Sequence, residues 1–351
     1  MVGVRGISAP YIYVCTRMRV RKAKLLPKEE YMRMLNMSLA EITRFIGETE
    51  YKQEIDELGT TFRGIDLIEV ALSWNLAKEY QKIQEITPGN LKEFTQAYLR
   101  RWDIQNVLTI LRGKTQGVKS GKIKEILVPA GSLDSTVLDR LLSEDNTERI
   151  IDALKGHRIY SVLAREYPSA RESGSFSRME NELYKQFYAE IIAEAESGIK
   201  GGNLFLDFIR LDIDIKNLKT LFRLRADTFE EDAREMYIPG GALLVTDFTF
   251  MNTIKDQGEF IDSLKVKYRQ KLLISLLDEM KGEKTIHDVE VRLTRVQLEQ
   301  MERMSKRNPI SIHPILVYLE KKKYEVFNLR ALARGKESKL SSEKIAEYLV
   351  M

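Results

Sequence analysis

The stretch Asp103-Ile-Gln-Asn106-Val-Leu-Thr-Ile-Leu-Arg112 decides the fold, because it occurs three times. It returns as Asp214-Ile-Lys-Asn217-Leu-Lys-Thr-Leu-Phe-Arg223 and as Glu325-Val-Phe-Asn328-Leu-Arg-Ala-Leu-Ala-Arg334, each asparagine standing 111 residues after the last. In every copy an acid precedes Asn by three residues and Arg follows it by six. A fixed long period of this kind is the mark of a repeated supersecondary unit. At about 100° per residue, Ile104, Val107, Leu108 and Leu111 form one apolar stripe. Asp103 and Arg112 lie on its margins and Asn106 falls toward the other face, so the stretch reads as an amphipathic helix.

Two further markers keep the same order. Glu69-Val-Ala-Leu72, Glu180-Asn-Glu-Leu183 and Glu290-Val-Arg-Leu293 share the form Glu-x-x-Leu, and Pro27, Pro129 and Pro239 each open a copy. The copies therefore run over 27–115, 129–226 and 239–336. Residues 1–26 read as an N-terminal basic helix, 116–128 as a linker, 227–238 as a connector and 337–351 as a C-terminal helix. The N-terminal segment weakly echoes the motif, with Thr16 at the Asn place and Lys22 at the Arg place.

Helical spacing recurs over 30–46, 63–82, 91–112, 178–195, 204–224, 288–304 and 314–334. Within 63–82, Ile65, Ile68, Leu72 and Leu76 lie three and four residues apart. A weak alternation at Ile12–Val14 is the sole hint of a strand. Thr87-Pro88-Gly89-Asn90, Pro168, Gly201-Gly202-Asn203, Pro239-Gly240-Gly241 and Asn308-Pro309 are expected at element edges, and Gly113 to Gly121 is the most linker-like run. The fold class is all-α. Three large copies make either a pseudo-threefold body or a short stack, which suits scaffolding or mechanical work better than one active site.

The repeat gives the acid, Asn and Arg positions a common reading. A short amide offers both donor and acceptor to the backbone of a neighbouring helix, and the Glu of the preceding helix can pair with the Arg of the Asn helix. One alternative is a ligand site in each copy. A polar clamp fixing how helices cross is favoured, since buried polar groups ordinarily serve packing specificity. The markers are Glu69, Asp103, Asn106 and Arg112, then Glu180, Asp214, Asn217 and Arg223, then Glu290, Glu325, Asn328 and Arg334.

Composition narrows the remaining classes. The 351 residues suffice for two or three domains at about 100–200 residues each. A net charge of +4 argues against a general nucleic-acid binder. Residues 1–26 hold six basic side chains and no acid, leaving 50 basic against 52 acidic elsewhere, so the surplus is one local basic end. Cys15 is alone, which excludes an internal disulfide and a thiolate metal cage. No run approaches the roughly 18 apolar residues of a membrane span, the apolar run Leu272 to Leu277 being short, and no signal-peptide layout is present. A soluble intracellular protein is expected.

Catalytic constellations are not found. Gly113-Lys114-Thr115 resembles the end of a phosphate loop, but Leu108 stands where that loop needs Gly, and a helix rather than a strand precedes it. His157, His287 and His313 have no ligand spacing, and no serine sits in a glycine elbow. No metal, cofactor or small-molecule substrate is expected. Arg17, Arg19, Arg21, Lys22 and Lys24 form a basic cluster that reads either as a solvated helix face or as a dock for an acidic partner or anionic surface.

The opening Tyr11-Ile-Tyr-Val-Cys-Thr16-Arg17-Met-Arg19-Val-Arg21-Lys-Ala-Lys-Leu25-Leu26 resembles the first helix of the C subunit of archaeal-type (A/V-type) rotary ATPases, which is related to the d subunit of vacuolar ATPases. The ending Tyr324 to Lys336, followed by Leu340 and Glu343, is similar to that family's closing signature. Lys22-Ala-Lys24 departs from it, since Arg or Ser is more usual there. The resemblance covers essentially the whole chain. It implies a funnel-shaped body of three helical units in pseudo-threefold arrangement, without chemistry of its own. It further implies a rotor subunit of the central stalk, peripheral on the cytoplasmic face of the membrane. There it would sit on the proteolipid ring and receive the shaft of subunits D and F, coupling ion transport (hydrogen ion or another) to ATP synthesis or hydrolysis. The competing reading is a generic helical-repeat adaptor in another complex.

Overall fold

A computed structural model describes residues 9–226, 233–268, 271–279 and 285–351; Arg5, the first half of the 227–238 connector and the side chain of Leu272 lie outside it. Every regular element among the described residues is helical. None of their helices is long and apolar enough to cross a membrane.

Local chemistry sets where helices begin. Ser38 accepts from the Glu41 N–H while the Glu41 carboxylate takes the Ser38 N–H at 2.7 Å, a reciprocal cap. That cap divides the expected 30–46 helix into Lys28–Met34 and Leu39–Ile46. The expected 91–112 helix is likewise two, Gly89–Leu99 and Arg101–Thr115, because Arg100 closes the first and opens the second. Ile12–Val14 lies inside the helix Ala9–Ala23 rather than in a strand. Pro168 stands within Tyr160–Ser173, not at an edge, where it lacks the N–H for the Ala164 carbonyl. The 116–128 linker contains a further helix, Ser120–Glu125, and Ala233–Met236 in the connector forms one 3-10 turn.

The contacts divide the chain into two compact units. One comprises the described residues up to Phe187 together with Tyr318–Leu349. Its core is gathered on the buried helix Gly64–Ile86, with Ile68, Val70, Ala71, Leu72 and Leu76 inside, and on the His313–Glu337 helix from Tyr318 onward. Charged groups in that core are matched: Glu320 accepts from the Tyr98 hydroxyl at 2.6 Å and from Arg101 at 3.2 Å. Glu325 accepts from the Tyr51 hydroxyl at 2.7 Å and from Lys322 at 2.8 Å. A buried charge is tolerated only when so partnered.

The other unit is Tyr188–Val317 with Val350–Met351. Here Gly202–Ala226 is the central helix and Ile286–Arg307 is its main neighbour. Asp212 accepts from the Tyr188 hydroxyl at 2.6 Å and from Gln297 at 2.7 Å. His313 is buried against Phe208, with Nε2 2.7 Å from the Leu204 carbonyl oxygen.

Candidate functional site

The helix Arg101–Thr115 buries more than its predicted stripe. Asp103 and Asn106 are inside together with Ile104, Val107, Leu108, Ile110 and Leu111. Asn106 meets a turn rather than a helix: its Nδ2 donates to the Val128 carbonyl at 2.7 Å and its Oδ1 accepts the Val128 N–H at 2.9 Å. Asn217 does the same to Ile238, at 2.7 and 2.8 Å. Val128 and Ile238 are the residues before Pro129 and Pro239, so each asparagine grips the entry to the next copy.

The acid three residues earlier grips the turn after the proline. Asp103 accepts from the Leu133 N–H at 2.8 Å, the Ser132 N–H at 3.0 Å and the Ser132 hydroxyl at 2.6 Å. Asp214 accepts from the Leu243 N–H at 3.3 Å. A Cβ on Gly131 or Gly241 would collide with these carboxylates, so the close approach requires glycine at both places. The third copy departs from this plan. Lys28 and Glu29 follow Pro27 in place of a glycine turn, and the longer Glu325 reaches the Leu26 N–H at 2.7 Å. Asn328 bonds the Tyr31 hydroxyl.

The arginines correct the expected pairing. Each was expected to meet the Glu of its own copy, yet Arg112 pairs with Glu180, Arg223 with Glu290 and Arg334 with Glu69. The partner is always the Glu of the next copy, and the third copy returns to the first. The Arg334–Glu69 contact is two-pronged, with a second bond at 3.1 Å.

Two cyclic contacts were missed in the sequence. The base two residues after each Arg caps the C-terminus of the next copy's first helix. Lys114 donates to the Leu142 and Glu144 carbonyls at 2.7 and 2.9 Å, Arg225 to the Ile254 carbonyl, and Lys336 to the Leu35 carbonyl at 2.6 Å. The hydroxyl four residues after each Glu also receives a donor: Tyr184 from Gln105, Thr294 from Lys219 and Ser73 from Arg330. The repeated Arg-Gly-Lys at 112–114 and 334–336 was the available signal. Gly113 and Gly335 leave room for Ile123 and Ile345, each ten residues on, whose side chains would lie within 2.6 and 2.5 Å of an added Cβ. Lys114 is thus a helix cap, with both carbonyl bonds in place of the phosphate contact its motif suggests.

The basic cluster divides in two. Arg21 is held by Glu79, which also accepts from the Tyr318 hydroxyl at 2.9 Å, and Lys24 pairs with Glu50 at 3.0 Å. Burial alone would lower the Arg21 pKa; the Glu79 bond and charge outweigh it and leave the group raised. Arg17 and Arg19 are exposed, as are Ile12, Tyr13 and Val20, and Lys22 is half-buried. Arg17 donates to the Tyr13 hydroxyl at 2.7 Å.

These contacts define an all-helical protein in which polar side chains pair at positions that recur along the sequence. The chain belongs to the ATP synthase (C/AC39) subunit family, whose model matches residues 14–348. It is 40% identical to the C subunit of the A-type ATP synthase of Methanosarcina acetivorans over 98% of this chain and 94% of that one. The protein of the same name from Archaeoglobus fulgidus is 36% identical, over 99% of this chain and 98% of its own. That of Haloferax volcanii is 31% identical, over 97% of each. The chain is an accessory subunit of a rotary ATP synthase, not a catalytic one.

Proposed function

We propose that the protein is the central-stalk rotor subunit that joins the membrane proteolipid ring to the shaft formed by subunits D and F, on the cytoplasmic face. Ion flow through the ring then drives ATP synthesis, or hydrolysis drives ions outward, through a chain that does no chemistry itself. The observation carrying this reading is the family match over residues 14–348. The cyclic order of the pairs Arg112–Glu180, Arg223–Glu290 and Arg334–Glu69 supports a pseudo-threefold arrangement of the three copies. A torque adaptor must be stiff, and close-packed helices joined by polar contacts at the junctions meet that need. The Asn, acid and Arg markers act as junction clamps. The exposed face Ile12, Tyr13, Arg17, Arg19 and Val20 is the docking surface in this reading, since Arg21 and Lys24 are engaged within the chain.

The test is a pull-down of the tagged chain from detergent-solubilised membranes. Recovery of a proteolipid and the D and F subunits is expected, and Arg17→Glu with Arg19→Glu should reduce recovery of the proteolipid while leaving the fold intact. Capture of an unrelated complex without ATPase subunits would favour the adaptor reading instead.

A further inference from the structure

We propose that the junction between the second and third copies is a proton-sensitive fastening, operated by the Asp214 carboxyl, which lacks the hydroxyl partner that Ser132 gives Asp103 at the first junction. The two turns align residue for residue: Pro129-Ala-Gly131-Ser132-Leu133 against Pro239-Gly-Gly241-Ala242-Leu243. At the first, both oxygens of Asp103 are occupied, Oδ1 by the Leu133 N–H and Oδ2 by the N–H and hydroxyl of Ser132. At the second, alanine replaces the serine, so the hydroxyl donor is missing. Asp214 Oδ1 holds the Leu243 N–H at 3.3 Å, while Oδ2 is buried with no hydrogen-bond partner.

The surroundings do not compensate. Arg210 on the same helix attracts the charge, and the Ala242 and Leu243 N–H groups stabilise it. Tyr268, at the end of Gln257–Lys267, has a buried hydroxyl without a partner and lies within electrostatic reach. Asp247 on Val245–Thr253 faces the same region but is tied to Lys267 at 2.7 Å. The polar groups of Ile286–Arg307 serve other positions of the Asp214 helix: Glu290 on Arg223, Thr294 on Lys219 and Gln297 on Asp212. Burial therefore dominates and pushes the Asp214 carboxyl up to about 7.

The sign comes from linkage. The folded chain holds this proton more tightly than the unfolded one, whose Asp titrates near 3.8. Stability is therefore greatest at acid pH and falls as pH rises from about 4 to about 7, above which the buried charge is fully present. Between about pH 5.5 and pH 8.5 the junction should lose roughly 30-fold in its closing equilibrium, the 1.5 pH steps below the folded value each counting tenfold.

The experiment is native-state hydrogen exchange on the full chain, comparing protection of the Leu243 amide with that of Leu133 in the same sample. The ratio cancels the intrinsic base dependence of exchange. In the natural chain the Leu243 to Leu133 ratio should fall by up to about 30-fold between those pH values. In Ala242→Ser, which supplies the missing hydroxyl, it should stay flat. Asp214→Asn, isosteric and unable to ionise, should also be flat and stands in if the serine variant does not fold. An unchanging ratio in the natural chain, or a slope that survives in either variant, overturns the proposal.

Discussion

Replacing Asn217 by Leu tests whether the asparagines fasten the copies. The amide is 1% exposed, and it makes two bonds to one peptide: Nδ2 to the Ile238 carbonyl at 2.7 Å and Oδ1 from the Ile238 N–H at 2.8 Å. Leucine has the same branched four-heavy-atom outline and is larger, so cavity formation is not the main effect. The substitution instead leaves a backbone N–H and a backbone C=O buried without partners. Each such group costs about 1–3 kcal/mol, so about 2–5 kcal/mol is expected after the gain in apolar contact. In a chain of this length a kilocalorie moves the transition by roughly 2 °C, so the melting temperature should drop by about 4–10 °C. Differential scanning calorimetry reads the shift, and urea unfolding followed by circular dichroism gives the free energy. Thr109→Ala, at a half-buried position of the first Asn helix where the hydroxyl bonds the Gln105 carbonyl of the same helix, is the control and should stay within about 0.5 kcal/mol. A shift for Asn217→Leu no larger than that of the control would refute the clamp.

The other junction contacts should rank differently. Arg334→Ala is expected to cost under about 1 kcal/mol in urea unfolding, because Arg334 is 59% exposed and solvent screens the pair. The charge swap Arg334→Glu with Glu69→Arg should recover most of the loss of either single change. Gly113→Ala should destabilise by about 1–3 kcal/mol, since the new methyl overlaps Ile123, and Ile123→Ala in the same chain should relieve that overlap. Lys114→Met should cost about 1 kcal/mol in thermal melts through loss of the cap on Ser135–Ser143. The natural chain should give no heat with magnesium ATP in calorimetry; a micromolar affinity abolished by Lys114→Met would overturn the capping assignment.

The sequence by itself determined the helical class and the period of 111, and it singled out the recurring acid, Asn, Glu and Arg positions. These are legible because apolar spacing and self-similarity are properties of the chain order alone. It also determined the family, since Tyr11 to Leu26 and Tyr324 to Lys336 carry its signatures. The helix breaks at Ser38 and Arg100 were hidden within continuous apolar spacing; at Ser38 a reciprocal cap overrides the pattern that crosses it. Only the tertiary structure decided partnership. Glu69 and Arg112 belong to one copy, yet Glu69 meets Arg334 and Arg112 meets Glu180, because side chains pair across space and the spacing is identical either way. The structure likewise decided that Arg21 and Lys24 are engaged within the chain, by placing Glu79 and Glu50 beside them. It decided, too, that Ala242 standing where the first turn has Ser132 leaves Asp214 half unmet, since an orphaned oxygen exists only where burial has removed water.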